Sequence, residues 1–387
     1  PLPPRWTPRR ARVWCGTISG DSRSMAFNCA DSFSADYPEA RAKFREAAAQ
    51  AGGALEHLSN PNRGPDGGDL TTDIAWFGPR DAEAVLVQIS GTHGVEGFCG
   101  SGAQVHWLRR GEASRLAPGV AVMLIHAINP YGFAWLRRVS EDNVDLNRNW
   151  VDFNAALPTN PGYDELSEIL CPADWSAETQ ARTGAALGRY AVERGELALR
   201  DAISLGQYNH PEGIFYGGTQ PTWPRLTQTA IYEDYLRQAG RIGVIDYHTG
   251  LGPWGYGEQI VIERPGTPGF ARAAAWYGSA IASPVAGTSA SGDIKGDGLA
   301  AATTLLPHAA VTGMALEVGT LPSAAVTAAL RADAWLHAHG DPTGPAAGPI
   351  KAQMRDAFYG DADDWKGMVA AQSLLVCREA LAGLSRG

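Results

Sequence analysis

Residues 84–97 read AVLVQISGTHGVEG, and they carry the most information about the architecture. The first seven residues are apolar and β-rich, which is typical of a strand buried on both faces of a sheet. Gly91 ends this run, and His93 and Glu96 follow directly. In open α/β sheets, ligand sites collect outside the carboxyl ends of the strands. The stretch therefore predicts a buried strand that brings two side chains of metal-binding type to one edge of a sheet.

Three more runs of this kind occur along the chain, at residues 120–127, 241–247 and 313–318. Ala- and Leu-rich stretches separate them, and those at residues 36–50, 177–204 and 323–339 are predicted to be helices. Alternating strands and helices favour an α/β fold. We predict a mixed, mostly parallel central sheet flanked by helices.

Polar residues follow each of these runs or lie at its downstream end. The sequence thus predicts that residues 93–96, 129–148, 248 and 317 converge at one edge of the sheet. Residues 59–69 form a loop by composition, and loops at 205–226 and 286–300 are expected to shape the mouth of a cleft.

Length and composition favour one large α/β domain, at residues 31–387, preceded by a flexible basic extension at residues 1–30. A formal net charge of −9 gives no support for a nucleic-acid partner. No apolar run approaches the roughly 18 residues that a membrane helix needs, so no membrane partner is expected. The five cysteines lack CxxC spacing, which favours a reducing, cytoplasmic location.

His93, Glu96 and His248 form a candidate zinc site. Zinc accepts imidazole nitrogen and carboxylate oxygen, and a catalytic zinc typically has three protein ligands and one position open for water. His-x-x-Glu alone is a weak signal. The third candidate ligand, His248, lies at the end of another predicted strand, and this placement strengthens the hypothesis of a zinc site.

A set of motifs makes the interpretation specific. After His-x-x-Glu come an Asn-Pro-x-Gly turn at 129–132, an arginine at 138, a Val-Asp-x-Asn-Arg-Asn segment at 144–149, a strand-end His248 and a strand-borne Glu317. In this order the motifs resemble the zinc carboxypeptidase superfamily, which includes the aspartoacylase and succinylglutamate desuccinylase deacylases. The chain most resembles a poorly characterised bacterial branch, from about residue 31 to the C-terminus.

The resemblance implies a zinc-carboxypeptidase-like fold with one Zn²⁺ per chain, and it implies roles for five further residues. Glu317 matches the catalytic general base, and Arg138 matches the arginine that stabilises the oxyanion, with Arg137 as a competing candidate. Asn147 and Arg148 match the pair that binds the substrate's terminal carboxylate. Asp145 matches a residue that orients His93.

The implied activity is zinc-dependent, carboxypeptidase-type cleavage of an amide bond next to a free carboxylate. The expected substrate is a small peptide or an N-acyl amino acid, and the oligomeric state is left open. Residues 290–300 contain no counterpart of the mobile tyrosine of digestive-type carboxypeptidases. This departure keeps open the alternative of an aspartoacylase-like deacylase. Residues 250–255 fit GxGxxG, but a strand-like run follows where a dinucleotide site needs a helix.

Overall fold

The apolar runs of the sequence lie in one eight-stranded sheet in a computed structural model, which describes residues 28–386. The strands are β1 (Ala54–Arg63), β2 (Asp69–Phe77), β3 (Ala84–Ile89), β4 (Val120–His126), β5 (Arg241–Thr249), β6 (Gly257–Ile260), β7 (Ile281–Ala282) and β8 (Ala310–Val318). Their order across the sheet is β1-β2-β4-β3-β5-β8-β6-β7.

The four predicted strands, β4, β3, β5 and β8, are neighbours and run parallel. Antiparallel pairs flank them, with β2 beside β4 and β6 beside β8. The predicted mixed, mostly parallel sheet is confirmed. Since parallel strands end at the same edge, the polar residues that follow them are brought together there.

Helices cover both faces of the sheet. They are α1 (Tyr37–Gln50), α2 (Gly97–Arg109), α3 (Pro130–Ala134), α4 (Leu146–Asn149), α5 (Pro161–Leu170), α6 (Ala177–Arg194), α7 (Glu196–Ser204), α8 (Trp223–Tyr235), α9 (Pro268–Tyr277), α10 (Gly298–Leu305), α11 (Ser323–Ala338), α12 (Ala347–Phe358) and α13 (Asp363–Ser385). Along β3, Leu86 packs into one apolar cluster, whereas Val85 and Val87 pack into the other. Burial on both faces explains why this strand reads as an unbroken apolar run.

Two predicted elements differ from the structure. Residues 59–63 (SNPNR) continue β1, so the loop predicted at 59–69 is limited to residues 64–68. β1 is an edge strand, where a proline costs no ladder hydrogen bond on the open side. The helix predicted at residues 177–204 is broken at Gly195, whose φ of +93° is not helical.

Most of the extension predicted at residues 1–30 lies outside the described residues, and so does Cys15. Cys99, Cys171 and Cys377 are free thiols. Of these, Cys99 is fully buried.

Within residues 28–386, one helix, α13, is long and apolar enough to cross a membrane by length and composition. The apolar runs alone did not reveal it. In the structure α13 packs against β3, β5 and α2, and Trp365, Val369 and Cys377 are buried in the core. These contacts place one side of α13 against the core.

Candidate active site

His93 and Glu96 lie in a tight turn that follows β3. Gly91, with a φ of +69°, ends the strand, and a short 3-10 helix ending at Glu96 follows. Gly94 leaves no room for a side chain, because a Cβ atom there would lie 2.0 Å from the carbonyl carbon of Gly132. This close approach of two backbone segments places both side chains at the carboxyl edge of the sheet.

The ligand atoms of the predicted metal site converge. His93 Nδ1 lies 3.0 Å from Glu96 Oε1 and 3.1 Å from His248 Nδ1. His248 Nδ1 is also 3.1 Å from Glu96 Oε2, and all three side chains are buried. Ligands held tetrahedrally at about 2.1 Å from a zinc ion would lie roughly 3.4 Å apart. The arrangement therefore fits a metal ion with little rearrangement.

Each imidazole directs its other nitrogen toward a buried carboxylate. His93 Nε2 lies 3.0 Å from Asp145 Oδ1, and His248 Nε2 lies 3.0 Å from Asp246 Oδ2. Such pairs orient the two rings and leave the Nδ1 atoms facing one another for a metal. Burial alone would raise the pKa of Asp145, but Arg138 and His93 hold it well below its usual range. Asp145 is therefore an anion that can orient His93.

Glu317 lies beside His248 because β5 and β8 pair in parallel with these two residues in register. Its side chain is buried, and its Oε1 accepts a hydrogen bond of 3.0 Å from the Leu251 N–H. Burial, followed by the negative charge of Glu96, raises the pKa of Glu317 to about 8. A carboxyl group with a pKa near neutrality can both accept and return a proton.

The structure distinguishes the two candidate arginines. Arg138 Nη1 lies 2.7 Å from Glu96 Oε1, and its Nε donates to Asp145 Oδ2 at 3.0 Å. Arg137 points elsewhere and donates to Asp333 at 2.9 Å. Of the two, only Arg138 lies in the site.

Asn147 and Arg148 lie on the short helix α4, whose first turn is capped by the Asp145 side chain. Asn147 Oδ1 accepts a hydrogen bond from the Gly298 N–H at 3.0 Å, which leaves its amide NH₂ group as a donor. Arg148 donates to the carbonyl oxygens of Asn147 and Ser204. Its Nε is buried and has no hydrogen-bond partner among the described residues. Arg148 therefore retains a buried donor that a ligand can satisfy.

A cleft of about 1120 Å³ lies in front of these residues. Six of the eight predicted site residues line it: His93, Arg138, Asn147, Arg148, His248 and Glu317. Glu96 and Asp145 are fully buried and contact these residues. All eight are thus brought together, as the strand ends predicted.

The predicted mouth loops contribute to the cleft. Residues 290–292, 294 and 297 line it, and so does Phe215 in the 205–226 loop. The guanidinium groups of Arg138 and Arg148 lie 5.2 and 5.4 Å from the centre of the Phe215 ring. At these distances the ring stabilises both cations.

A family model described as a protein of unknown function, DUF2817, matches residues 33–372. The chain belongs to this family. No curated protein matches the sequence of this DUF2817 protein.

Several solved structures are similar to the DUF2817 chain. Carboxypeptidase A from Helicoverpa armigera matches with a TM-score of 0.49 and 12% identity, covering 92% of this chain and 75% of that one. Bovine thrombin-activatable fibrinolysis inhibitor, in complex with tick carboxypeptidase inhibitor, matches with a TM-score of 0.47 and 8% identity, covering 92% and 99%. An aspartoacylase family protein from Mesorhizobium loti matches with a TM-score of 0.35 and 13% identity, covering 74% and 67%.

Two residues of the DUF2817 site escaped the sequence analysis. Asp246 is two positions before His248, and residues i and i+2 of a strand face the same side, so the spacing could have revealed this pair. Phe215 lies in an irregular loop, and no local pattern marks it as a partner of the arginines.

Proposed function

We propose that this DUF2817 protein is a zinc-dependent hydrolase that cleaves an amide bond next to a free carboxylate, in the manner of a carboxypeptidase. One observation carries the proposal. The buried ligand atoms of His93, Glu96 and His248 lie 3.0–3.1 Å apart, with a second carboxyl group, Glu317, next to His248 in the sheet register.

The donor set supports zinc. Two imidazoles and one carboxylate are the ligands of many catalytic zinc sites, which keep a further position open for water. A bound zinc ion would lower the pKa of that water to around 7 and polarise the carbonyl group of the substrate. Both effects would accelerate amide hydrolysis at neutral pH.

Glu317 is assigned as the general base. Its carboxylate takes a proton from the attacking water, and the water oxygen then forms a bond to the carbonyl carbon. When the carbon–nitrogen bond breaks, Glu317 returns the proton to the leaving nitrogen. Because its Oε1 already accepts the Leu251 N–H, the side chain is held in one orientation at the cleft wall.

The arginines are assigned to the two negative charges of the reaction. Arg138, beside Glu96, is placed to stabilise the oxyanion that forms on the carbonyl oxygen. Arg148 is assigned to the substrate carboxylate, with its unpartnered Nε and the Asn147 amide as donors. Asp145 and Asp246 orient the two histidines.

The second candidate function is a deacylase that acts on N-acyl amino acids. Among the described residues no tyrosine lines the cleft, and this lining is compatible with deacylase activity. Both activities cleave an amide bond beside a free carboxylate and use the same residues.

Metal analysis combined with the Glu317→Gln variant tests the proposal. Purified protein is expected to contain about one zinc ion per chain, and removal of the metal by a chelator should abolish hydrolysis of N-acyl amino acids and short peptides. Glu317→Gln should retain the zinc and lose roughly 10²–10⁴-fold in kcat, which is the usual contribution of general acid–base catalysis. An unchanged kcat in this variant would reject Glu317 as the base, and a protein without bound metal after zinc loading would reject the metal site.

A further inference from the structure

The cleft extends beyond the proposed catalytic residues into an apolar groove. Its walls are α6 and α11, and the residues that the argument uses are Leu187, Ala191, Val326 and Leu330. These positions are spaced by four residues on each helix, so each pair lies on one side of its helix. The groove thus has two apolar walls that face the same space.

The groove begins at the metal site. A Cβ atom at Gly250, two residues after His248, would lie 2.9 Å from the Phe358 ring and 3.8 Å from the Val326 side chain. Val326 and Phe358 also line the cleft together with His248. The apolar surface is therefore continuous with the place where the amide bond would bind.

The outer end of the groove lies where α6 and α11 approach the end of α5. The Thr183 hydroxyl donates to the Ile169 carbonyl at 3.1 Å, and Arg331 Nη2 lies 3.4 Å from the same oxygen. Arg331 Nε also donates to the Leu170 carbonyl at 2.7 Å. These contacts hold the two walls together beyond Leu330.

Two glycines on α6 leave open space in the groove, because they carry no side chain. Gly184 and Gly188 line the cleft, and a Cβ atom at either position would meet nothing within 4 Å. Each glycine in a helix interior costs about 1 kcal/mol relative to alanine. No neighbouring atom requires glycine at either position, because the space in front of both is open.

Arg148 supplies a positive charge to the same cleft. Arg148 is 3% exposed, lines the same cleft and carries the unpartnered Nε. A ligand that places a carboxylate on Arg148 and its amide at the metal site would direct its acyl part away from Arg148, toward Val326. An acyl chain carries no groups that need hydrogen bonds, whereas an extended peptide would leave its backbone unpaired against Leu187 and Leu330.

We propose that the groove between α6 and α11 binds the apolar acyl chain of an N-acyl amino acid. This inference rests on the proposed function and assigns its substrate class: a free carboxylate, an amide bond and a long apolar acyl group. It also assigns Gly184 and Gly188 as residues that determine the acceptable chain length.

Binding to the zinc-loaded Glu317→Gln protein, measured by calorimetry, tests the groove without turnover. The probes are N-acetylglycine, N-hexanoylglycine and N-decanoylglycine, and a second series keeps the acetyl group and varies the amino acid. Each buried methylene raises affinity roughly fourfold, so in a groove that is partly open to solvent decanoylglycine should bind roughly 100-fold more tightly than acetylglycine.

Gly184→Leu should remove at least about tenfold of the affinity for decanoylglycine, because the new side chain would fill the groove, and should leave acetylglycine binding unchanged. This substitution also favours the helix, so misfolding is not expected. Gly367→Leu is the matched control, since Gly367 lies in α13, does not line the cleft and has equally open space at its Cβ position. It should bind every probe like the parent.

The outcomes separate the two proposals. The groove assignment is overturned if acetylglycine and decanoylglycine bind equally well, or if affinity changes with the amino acid and not with the acyl chain. Hydrolysis of these two compounds by the wild type would still support the hydrolase. Tight, Gly184-dependent binding of decanoylglycine without any hydrolysis by the zinc-loaded wild type supports the groove and overturns the hydrolase.

Discussion

Glu96 contacts four groups of the site with its two carboxylate oxygens. Its Oε1 lies near His93 and Arg138, at 3.0 and 2.7 Å, and its Oε2 lies 3.1 Å from His248 and accepts the Thr249 N–H at 3.0 Å. A fully buried carboxylate needs such partners, because an unpaired buried charge is costly. The side chain therefore positions both imidazoles before any metal binds.

The high pKa of Glu317 gives a prediction for stability in the metal-free protein. In the folded state the pKa is about 8, whereas in the unfolded chain it is about 4.3. The folded state thus holds this proton more tightly, so stability falls as the pH rises through this window. Glu317→Gln cannot ionise. Relative to wild type, it should gain up to a few kcal/mol between roughly pH 4.5 and 8.

Thermal unfolding of both chelator-treated proteins at several pH values measures this difference. A constant gap in Tm between the two proteins across the range would contradict the raised pKa. Zinc should reduce the gap, since a nearby cation favours the ionised carboxylate.

Arg148 is predicted to discriminate between substrates. Arg148→Ala should reduce kcat/KM for substrates with a free carboxylate by roughly 10²–10³-fold, as expected for the loss of a buried charge-assisted contact. Substrates with an amidated carboxyl group, which are poor for the wild type, should change far less. Steady-state kinetics on matched pairs of free and amidated substrates provides the measurement. An equal loss of kcat/KM for free and amidated substrates would show that Arg148 has only a structural role, through its hydrogen bonds to backbone carbonyls.

At the scale of elements, the segment that carries Arg138 is fixed to α11. Arg137 donates to Asp333 on that helix, and Asp333 also contacts Lys351 on α12. On the other side, the Arg137 carbonyl accepts the Val95 N–H at 2.8 Å. A buried salt bridge thus connects the helix layer to the turn that follows β3.

The Asp333 contacts predict a large effect on stability. Asp333→Ala removes the carboxylate that pairs with the buried Arg137 and the largely buried Lys351, and it should cost roughly 3–5 kcal/mol in the free energy of unfolding. Asp361 is a matched control, because it also pairs with one arginine and one lysine, Arg355 and Lys366, but is 41% exposed. Asp361→Ala should cost about 1 kcal/mol or less. Urea unfolding of the two variants measures both free energies of unfolding. Similar losses of stability would contradict the prediction that burial makes the contacts of Asp333 with Arg137 and Lys351 more important.

The elements differ in how well the sequence predicts them, and burial explains the difference. β3, β4, β5 and β8 are covered on both faces and read as continuous apolar runs. β1 is an edge strand whose residues are mostly exposed, so its composition resembles that of a loop. A single residue, Gly195, separates α6 from α7, so the Ala- and Leu-rich pattern looks continuous in the sequence. The break is visible in the structure, where Gly195 has a positive φ.

At the scale of the whole molecule, metal binding should stabilise the fold. The proposed ligands come from the turn after β3 and from β5, so an ion would cross-link two segments more than 150 residues apart. At a free zinc concentration about 1,000 times Kd, binding adds roughly 4 kcal/mol, or about 5–10 °C in Tm.

Thermal scans with and without zinc test this linkage in the wild type and in His248→Ala. The variant should lose most of the zinc-dependent shift, because two ligands remain where three are needed. A shift of the same size in both proteins would place the stabilising ion elsewhere.

The chemical core of the site could be predicted from sequence, but its supporting contacts could not. His93, Glu96, His248 and Glu317 follow strands that are recognisable by composition, and one edge of a parallel sheet collects them. The Arg137–Asp333 pair joins residues 196 positions apart, and no local signal predicts such a partner. The choice between Arg137 and Arg138 therefore required the fold.

Helices α5, α6 and α7 come from one uninterrupted stretch, residues 161–204, and they pack chiefly on one another. Every residue assigned to bond cleavage lies outside that stretch. If the groove assignment holds, exchanging this one segment should alter which acyl chains are accepted while the residues proposed for bond cleavage keep their places in the sheet.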